Sequence, residues 1–215
     1  MIRFLPENCD RPLHILCIGA HADDIEIGCG GSILTLGERY PDAVFHWVVF
    51  SATGVREAEA RHGAKLFAGS KINSLVLKTF PDGFMPYVGA DIKQVYEELK
   101  QSIAPDVIFC PSRKDAHQDH RLMAELAWNT FRDHLILEYE IPKYDGDMGR
   151  PNVFIPLELP AYQGKVQRIV EAFKSQSNKR WFEESTFLSL MRLRGMECNS
   201  PSGHAEAFYC SKLVL

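Results

Sequence analysis

The fold of this protein can be predicted outward from residues 14–31, HILCIGAHADDIEIGCGG. Residues 14–19 form an apolar run typical of a buried strand, and residues 25–37 have the apolar periodicity of a helix. Between them lie an imidazole and two consecutive carboxylates, at His21, Asp23 and Asp24. The stretch therefore predicts a strand, a polar turn and a helix, the repeating unit of α/β folds.

The same alternation continues along the chain. It predicts strands at 14–19, 43–50, 74–77, 106–110 and 135–139, separated by helices at 25–37, 56–69, 91–103 and 121–134. We therefore expect one α/β domain over residues 1–215, with a Rossmann-like, doubly wound, mainly parallel sheet of order 3-2-1-4-5 and helices on both faces. Beyond this unit we expect a long loop at 142–160 with a short strand at 153–155, helices at 165–174 and 183–194, and a last edge strand at 207–210.

Composition excludes several classes of protein. The 24 Lys+Arg and 28 Asp+Glu residues are scattered rather than clustered, which argues against a nucleic-acid partner. No apolar run reaches the length of about 18 residues that a transmembrane segment needs, and residues 1–10 lack the apolar core of a signal peptide. Several cysteines lie in apolar strand-like runs, without Cys-x-x-Cys spacing, so we expect buried reduced thiols and a cytoplasmic location.

A second polar motif, His117-Gln118-Asp119-His120, follows the fourth predicted strand. In the order 3-2-1-4-5, strands one and four are neighbours, and ligands bind beyond the carboxyl ends of the strands at this switch point. Neighbouring strands lie only about 4.8 Å apart. The two motifs, although distant in sequence, are therefore expected at one site.

These residue types suit a metal-assisted hydrolysis. His21 and Asp24 are three residues apart where a strand turns into a helix, so their side chains can converge on one point, with His120 as a third ligand. Catalytic zinc usually has three histidine or carboxylate ligands and an open position for water. Asp23 remains beside this site as a candidate base.

Each motif also has a simpler interpretation. Asp23 or Asp24 can cap the following helix, although a cap needs only one oxygen acceptor and this turn has two carboxylates and an imidazole. Residues 117–120 can be a solvated turn before a helix.

Two further residues have alternative roles. Arg56 is spaced to pair with Glu59 on one helix, but it also follows strand two at the edge where a substrate would bind. His204 follows a turn near the C-terminus and is either structural or part of the substrate-binding rim.

At these residues the sequence resembles the LmbE-like, phosphatidylinositol-glycan class L (PIG-L) family of zinc-dependent N-acetylglucosaminyl deacetylases. The family's first motif, Ala-His-Pro-Asp-Asp, corresponds to residues 20–24 with Ala22 in place of proline, and residues 117–120 match the second. Residues 56–60 resemble the helix after strand two, and residues 173–176 and 206–208 resemble the C-terminal signatures.

The resemblance implies a role for each motif residue. It implies one Zn²⁺ held by His21, Asp24 and His120. It implies that Asp23 is the general base, that His117 stabilises the oxyanion with Asp119 orienting it, and that Arg56 faces the substrate.

The implied reaction is hydrolysis of the N-acetyl group of an N-acetylglucosamine-type conjugate, giving a free amine and acetate. Two alternatives stay open: a metal-dependent hydrolase of another small amide, and a noncatalytic nucleotide-sugar binding protein of the same fold. The sequence also leaves open what the sugar is attached to, and whether the chain forms a homo-oligomer.

Overall fold

A computed structural model describes residues 11–214 of the chain. Its strands are β1 (His14–His21), β2 (Val44–Ser51), β3 (Ile72–Leu77), β4 (Val107–Pro111), β5 (Leu135–Tyr139), β6 (Val153–Pro156) and β7 (Ala205–Tyr209). Its helices are α1 (Asp24–Arg39), α2 (Val55–Ala68), α3 (Gly89–Ser102), α4 (Gln118–Thr130), α5 (Leu159–Ala172) and α6 (Glu184–Glu197). Residues 1–10, for which we predict no signal peptide, lie outside the described range.

The strands form one mixed sheet of order β3-β2-β1-β4-β5-β7-β6. The first five strands pair in parallel, which confirms the predicted order 3-2-1-4-5. β1 and β4 are hydrogen-bonded neighbours, and the chain leaves them toward opposite edges of the sheet. The switch point therefore lies between the strands that precede the two polar motifs.

The far end of the sheet corrects one prediction. The strand expected at the edge, at 207–210, is β7, which lies between β5 and β6 and pairs with both in antiparallel fashion. β7 is largely buried, and its Phe208 ring packs against Phe109 with the ring centroids 5.2 Å apart. The partly exposed β6 forms the edge instead, and one side of it has no neighbouring strand.

Two helices begin at least three residues earlier than their sequence pattern predicts. α5 begins at Leu159 rather than at residue 165, and Pro160 lies in its first turn. Proline is tolerated there because amide groups of the first turn have no acceptor within the helix. α4 begins at Gln118 rather than at residue 121, with His117 as its N-cap. Most of the second motif therefore belongs to a helix and not to the preceding loop.

The core has two layers, one on each face of the sheet. On β1, Ile15 and Cys17 face the layer formed with α1, α2, α5 and α6. Leu16 and Ile18 face the layer formed with α3 and α4. This alternation with a period of two explains why β1 reads as a continuous apolar run: both faces of a central parallel strand are covered.

Helix α1 is interrupted at Cys29, whose φ of −142° and ψ of 15° are not helical. The break frees the amides of Gly31 and Ser32, which donate to the carboxylate of Glu206 at 2.8 and 2.6 Å. The buried Lys165 ammonium donates to the same carboxylate and to a carbonyl of the turn before the break, both at 2.6 Å. This buried ion pair joins the two halves of α1 and so fixes the first turn, which carries Asp24.

The described cysteines are free thiols, with Cys17, Cys29 and Cys110 buried. This agrees with the expectation of buried thiols at Cys17 and Cys110, whereas Cys210, expected in the last strand, follows β7 and is half-buried. Within residues 11–214, every helix is too short or too polar to cross a bilayer.

Candidate active site

The turn between β1 and α1 has an unusual backbone at Asp23. Its φ is 108°, in a region that few residues other than glycine adopt, although aspartate and asparagine tolerate it better than most. The turn places the amide of His21 2.8 Å from the Asp24 carboxylate, to which it donates. The strained residue therefore lies between two side chains that converge, as is common at functional sites.

The atoms offered by His21, Asp24 and His120 form a small triangle. His21 Nδ1 lies 3.2 Å from His120 Nε2, His120 Nε2 lies 3.3 Å from Asp24 Oδ2, and His21 Nδ1 lies 3.7 Å from Asp24 Oδ2. Zinc bonds of about 2.0–2.2 Å in tetrahedral geometry require ligand atoms about 3.3–3.6 Å apart. The triangle therefore has the dimensions of one face of a tetrahedral zinc site.

A carboxylate lies against the second ring nitrogen of each histidine. Asp119 Oδ2 and Asp82 Oδ1 are 3.1 and 3.0 Å from His21 Nε2. Asp115 Oδ2 is 2.9 Å from His120 Nδ1. Carboxylates in this position fix the ring orientation and tautomer of metal-binding histidines and raise their basicity.

Backbone and side-chain contacts hold these carboxylates in turn. The amides of Gly83 and Met85 donate to Asp119 at 2.7 and 3.2 Å. Asp115 accepts from the amide of His117 at 2.8 Å, and the Lys143 ammonium lies 3.0 Å from it. The carboxylates of Asp119 and Asp115 are therefore buried and held by several partners, whereas Asp82 is exposed.

The negative charge of the carboxylates around His21 and His120 favours binding of a cation. Burial lowers the pKa of His21, but the hydrogen bonds to Asp119 and Asp82 outweigh it and raise the pKa to about 10. Burial likewise lowers the pKa of His120, but Asp24 raises it to about 9. A divalent metal would satisfy the same negative charge and displace these protons on binding.

Arg56 connects the predicted base to helix α2. Its Nη2 lies 2.9 Å from Asp23 Oδ2, and its Nη1 donates to Glu59 Oε2 at 2.8 Å. Glu59 also accepts from the amide and the hydroxyl of Ser175, both at 2.7 Å. Burial raises the pKa of Asp23 to about 7, while Arg56 opposes this rise. Arg56 thus makes the pair with Glu59 that its spacing allows, and it also touches the candidate base.

His117 lies beside the ligand triangle. Its ring centroid is 4.9 Å from that of His21 and 4.7 Å from that of His120. The amide of Asp119 donates to its Nδ1 at 3.2 Å, which leaves Nε2 as the protonated nitrogen of the neutral ring. Burial lowers its pKa, and the charges of the neighbouring histidines lower it further. The Asp119 side chain contacts His21, whereas only its backbone contacts His117.

His204 contacts helix α5 and the turn before β7. Its ring stacks on Tyr162 with a centroid distance of 3.9 Å, and its Nδ1 lies 3.1 Å from the carbonyl of Ser202. The contacts of His204 in the described structure are therefore those of a packed residue. The other predicted residues contact one another, whereas the ring of His204 contacts Tyr162 and Ser202, so its substrate-binding role stays a prediction.

Asp82 and Asp115 also contact the histidines of the site, although neither belongs to the two sequence motifs. Asp115 lies in the polar segment after β4, two residues before His117. Asp82 lies in the turn sequence Pro-Asp-Gly after β3. Both follow parallel strands at the carboxyl edge of the sheet, and that position is the signal that identifies them.

The family described as PIG-L, GlcNAc-PI de-N-acetylase, matches residues 16–131, which contain both motifs. The chain is 32% identical over 139 residues to the uncharacterized deacetylase YaiS of Escherichia coli (strain K12), a match that covers 60% of this chain and 74% of that protein.

Two solved structures show the same fold at low sequence identity. The N,N'-diacetylchitobiose deacetylase from Pyrococcus horikoshii aligns with a TM-score of 0.70 and 19% identity, over 92% of this chain and 83% of that one. The 4-carboxy-2-hydroxymuconate hydratase GalB from Pseudomonas putida KT2440 aligns with a TM-score of 0.69 and 16% identity, over 94% and 97%. These two likenesses concern the fold alone, whereas the match over residues 16–131 concerns the family. The chain belongs to the PIG-L (LmbE-like) deacetylase family.

Proposed function

We propose that the protein is a zinc-dependent N-deacetylase that removes the acetyl group from an N-acetylglucosamine-type conjugate. The observation that carries the proposal is the triangle of ligand atoms from His21, Asp24 and His120, which has the size of a tetrahedral zinc face. Membership of the PIG-L deacetylase family supports the reaction type.

The metal would be held by these three side chains, whose donor set of two imidazoles and one carboxylate is common in catalytic zinc sites. When bound, it would polarise the acetyl carbonyl and make water acidic enough to react near neutral pH. The carboxylates of Asp115 and Asp119 would keep the two imidazoles aligned toward it.

Asp23 would act as the general base. It is next to the proposed ligand Asp24, it is buried, and its carboxylate pairs with the Arg56 guanidinium. A base is most effective when its pKa lies near the working pH, and burial raises the pKa of Asp23 to about 7. Asp23 would take a proton from the attacking water and return it to the leaving amine.

His117 would stabilise the negative charge that develops on the acetyl oxygen. Because its Nδ1 accepts from the α4 backbone, the Nε2–H of the neutral ring is left to donate. A preorganised donor of this kind is typically worth about 3–4 kcal/mol of the reaction barrier. Protonation of the ring is not required for this role.

The decisive test compares Asp23→Asn with His120→Ala. Asp23→Asn removes the base but none of the three ligands, so we expect close to one zinc per chain and a kcat that falls roughly 10²–10⁴-fold. His120→Ala removes a ligand, so we expect both zinc and activity to be lost. Zinc content by mass spectrometry and acetate release from several N-acetylglucosamine conjugates provide the two readouts.

His62→Ala is the matched control for the histidine substitution, because this exposed histidine of α2 pairs with Glu171 of α5 and belongs to neither motif. It should keep both zinc and turnover. If Asp23→Asn loses zinc as completely as His120→Ala, the division between base and ligands is wrong. Acetate or amine release from non-sugar amides alone would favour a hydrolase of another small amide. Binding of sugars without any release would favour a binding protein.

A further inference from the structure

Two aromatic side chains are exposed together in the segment that follows β3. Phe84 is 61% exposed and Tyr87 is 82% exposed. Their ring centroids are 6.1 Å apart, and the ring planes are tilted by 47°. Aromatic rings carry a large apolar surface that proteins usually cover, so an adjacent exposed pair indicates a surface that meets another molecule.

The backbone of this segment is fixed to the active site. The amides on either side of Phe84, those of Gly83 and Met85, are the ones that donate to Asp119. The side chain of Met85 is fully buried, and Gln118 Nε2 donates to the carbonyl of Gly83 at 2.9 Å. The aromatic pair is therefore held at a fixed position beside the ligand triangle, as a substrate-binding surface must be.

The surface next to the rings is polar. Asp82 exposes 73% of its side chain, although one of its oxygens lies 3.0 Å from His21 Nε2. A pyranose ring has an apolar face of C–H groups and a rim of hydroxyl groups, so it complements aromatic rings beside an exposed carboxylate. An alkyl chain has no hydrogen-bond donor for the Asp82 carboxylate, and an anionic group would be repelled by this carboxylate.

We propose that Phe84 and Tyr87 form a subsite for a second sugar ring, linked to the ring whose N-acetyl group is hydrolysed. The proposal rests on the function proposed above and narrows its substrate to a disaccharide or a larger glycan conjugate. The second ring would pack its C–H face on the aromatic pair, while the N-acetylated ring lies over the ligand triangle.

The test compares two substrates that each carry one N-acetyl group: the methyl glycoside of N-acetylglucosamine and a β-1,4-linked N-acetylglucosaminyl-glucose. Wild-type enzyme should have the higher kcat/KM for the disaccharide. The Phe84→Ala/Tyr87→Ala double variant should lower the disaccharide-to-monosaccharide ratio by about tenfold, the order of effect expected for loss of two packed rings.

Two variants control for general effects. Tyr87→Phe keeps the ring, so its ratio should stay within about twofold of the wild-type ratio, in line with the small energy of one exposed hydroxyl. Met196→Ala removes a side chain of similar exposure from α6, away from the segment after β3, and should leave the ratio unchanged.

Three results would overturn the subsite. The first is a disaccharide-to-monosaccharide ratio that is unchanged in the double variant. The second is a loss, in the double variant, of a kcat/KM advantage of octyl N-acetylglucosaminide over the methyl glycoside, without such a loss for the disaccharide. The third is dissociation of a wild-type oligomer in the double variant while the ratio stays the same. If the wild type releases acetate from no glycoside, the proposed function fails, and saturation-transfer NMR with the disaccharide tests the subsite separately.

In that experiment, saturation transfer to the second sugar ring that disappears in the double variant supports the subsite. Absence of such transfer in the wild type refutes the subsite.

Discussion

Replacement of Asp115 tests whether the cluster is a metal site supported by outer carboxylates. The Asp115 carboxylate lies 2.9 Å from His120 Nδ1 and is buried. A hydrogen bond to a charged group contributes roughly 1.5–3 kcal/mol and a neutral one roughly 0.5–1.5 kcal/mol. Asp115→Asn keeps an acceptor but loses the charge, so it should weaken zinc binding by about 1.4 kcal/mol, or about tenfold. Asp115→Ala should weaken it by up to about 100-fold.

The side effects of this change are limited by the structure. Lys143, which pairs with Asp115 at 3.0 Å, also pairs with Asp147 at 2.6 Å, so it keeps a carboxylate partner in either variant. The zinc dissociation constant is measured by competition with a chromophoric chelator, alongside the unfolding midpoint of the zinc-free protein.

Asp133→Asn is the matched control, because Asp133 lies 2.9 Å from His134 Nδ1 but is 91% exposed and far from the motifs in the sheet. It should leave zinc affinity unchanged. The reasoning is refuted if Asp115→Ala binds zinc as tightly as the wild type, or if its zinc affinity falls only as far as that of Asp133→Asn.

Two other predictions concern charged side chains: Arg56, which contacts Asp23, and Lys165, which pairs with Glu206. Arg56→Met removes the positive charge that opposes the raised pKa of Asp23, so this pKa rises further and the acidic limb of the kcat/KM profile moves to higher pH; a limb that stays in place contradicts the contact. Lys165→Met leaves the carboxylate of Glu206 buried without its cation, which should lower the free energy of unfolding in urea by about 3–5 kcal/mol. Adding Glu206→Gln should restore part of this loss, and a single-variant loss below about 1 kcal/mol would show that the ion pair contributes little.

The meeting of the two motifs was predictable from sequence alone. The apolar runs and helical periods identify the alternating elements, and the doubly wound order makes β1 and β4 neighbours. Once that order is known, His21, Asp24 and His120 must lie at the same edge of the sheet. Local patterns suffice here because each motif lies within ten residues of the end of a strand.

The partners of these side chains were decided only by tertiary structure. Asp119 is one residue from His120 in sequence, yet its carboxylate contacts His21 on β1, because the segment after β3 supplies the amides that orient it. The pairing of Lys165 with Glu206 across the break in α1 likewise joins three distant parts of the chain.

The position of β7 inside the sheet, rather than at its edge, has the same origin. Sequence periodicity indicates which faces of an element are buried. Here it predicted the strand β7 but not that β7 pairs with β5 on one side and β6 on the other. Which element covers a buried face depends on how loops and helices far apart in sequence pack together. That is why the sequence determined the elements and the edge at which the candidate ligands lie, while the fold determined which carboxylate contacts which histidine.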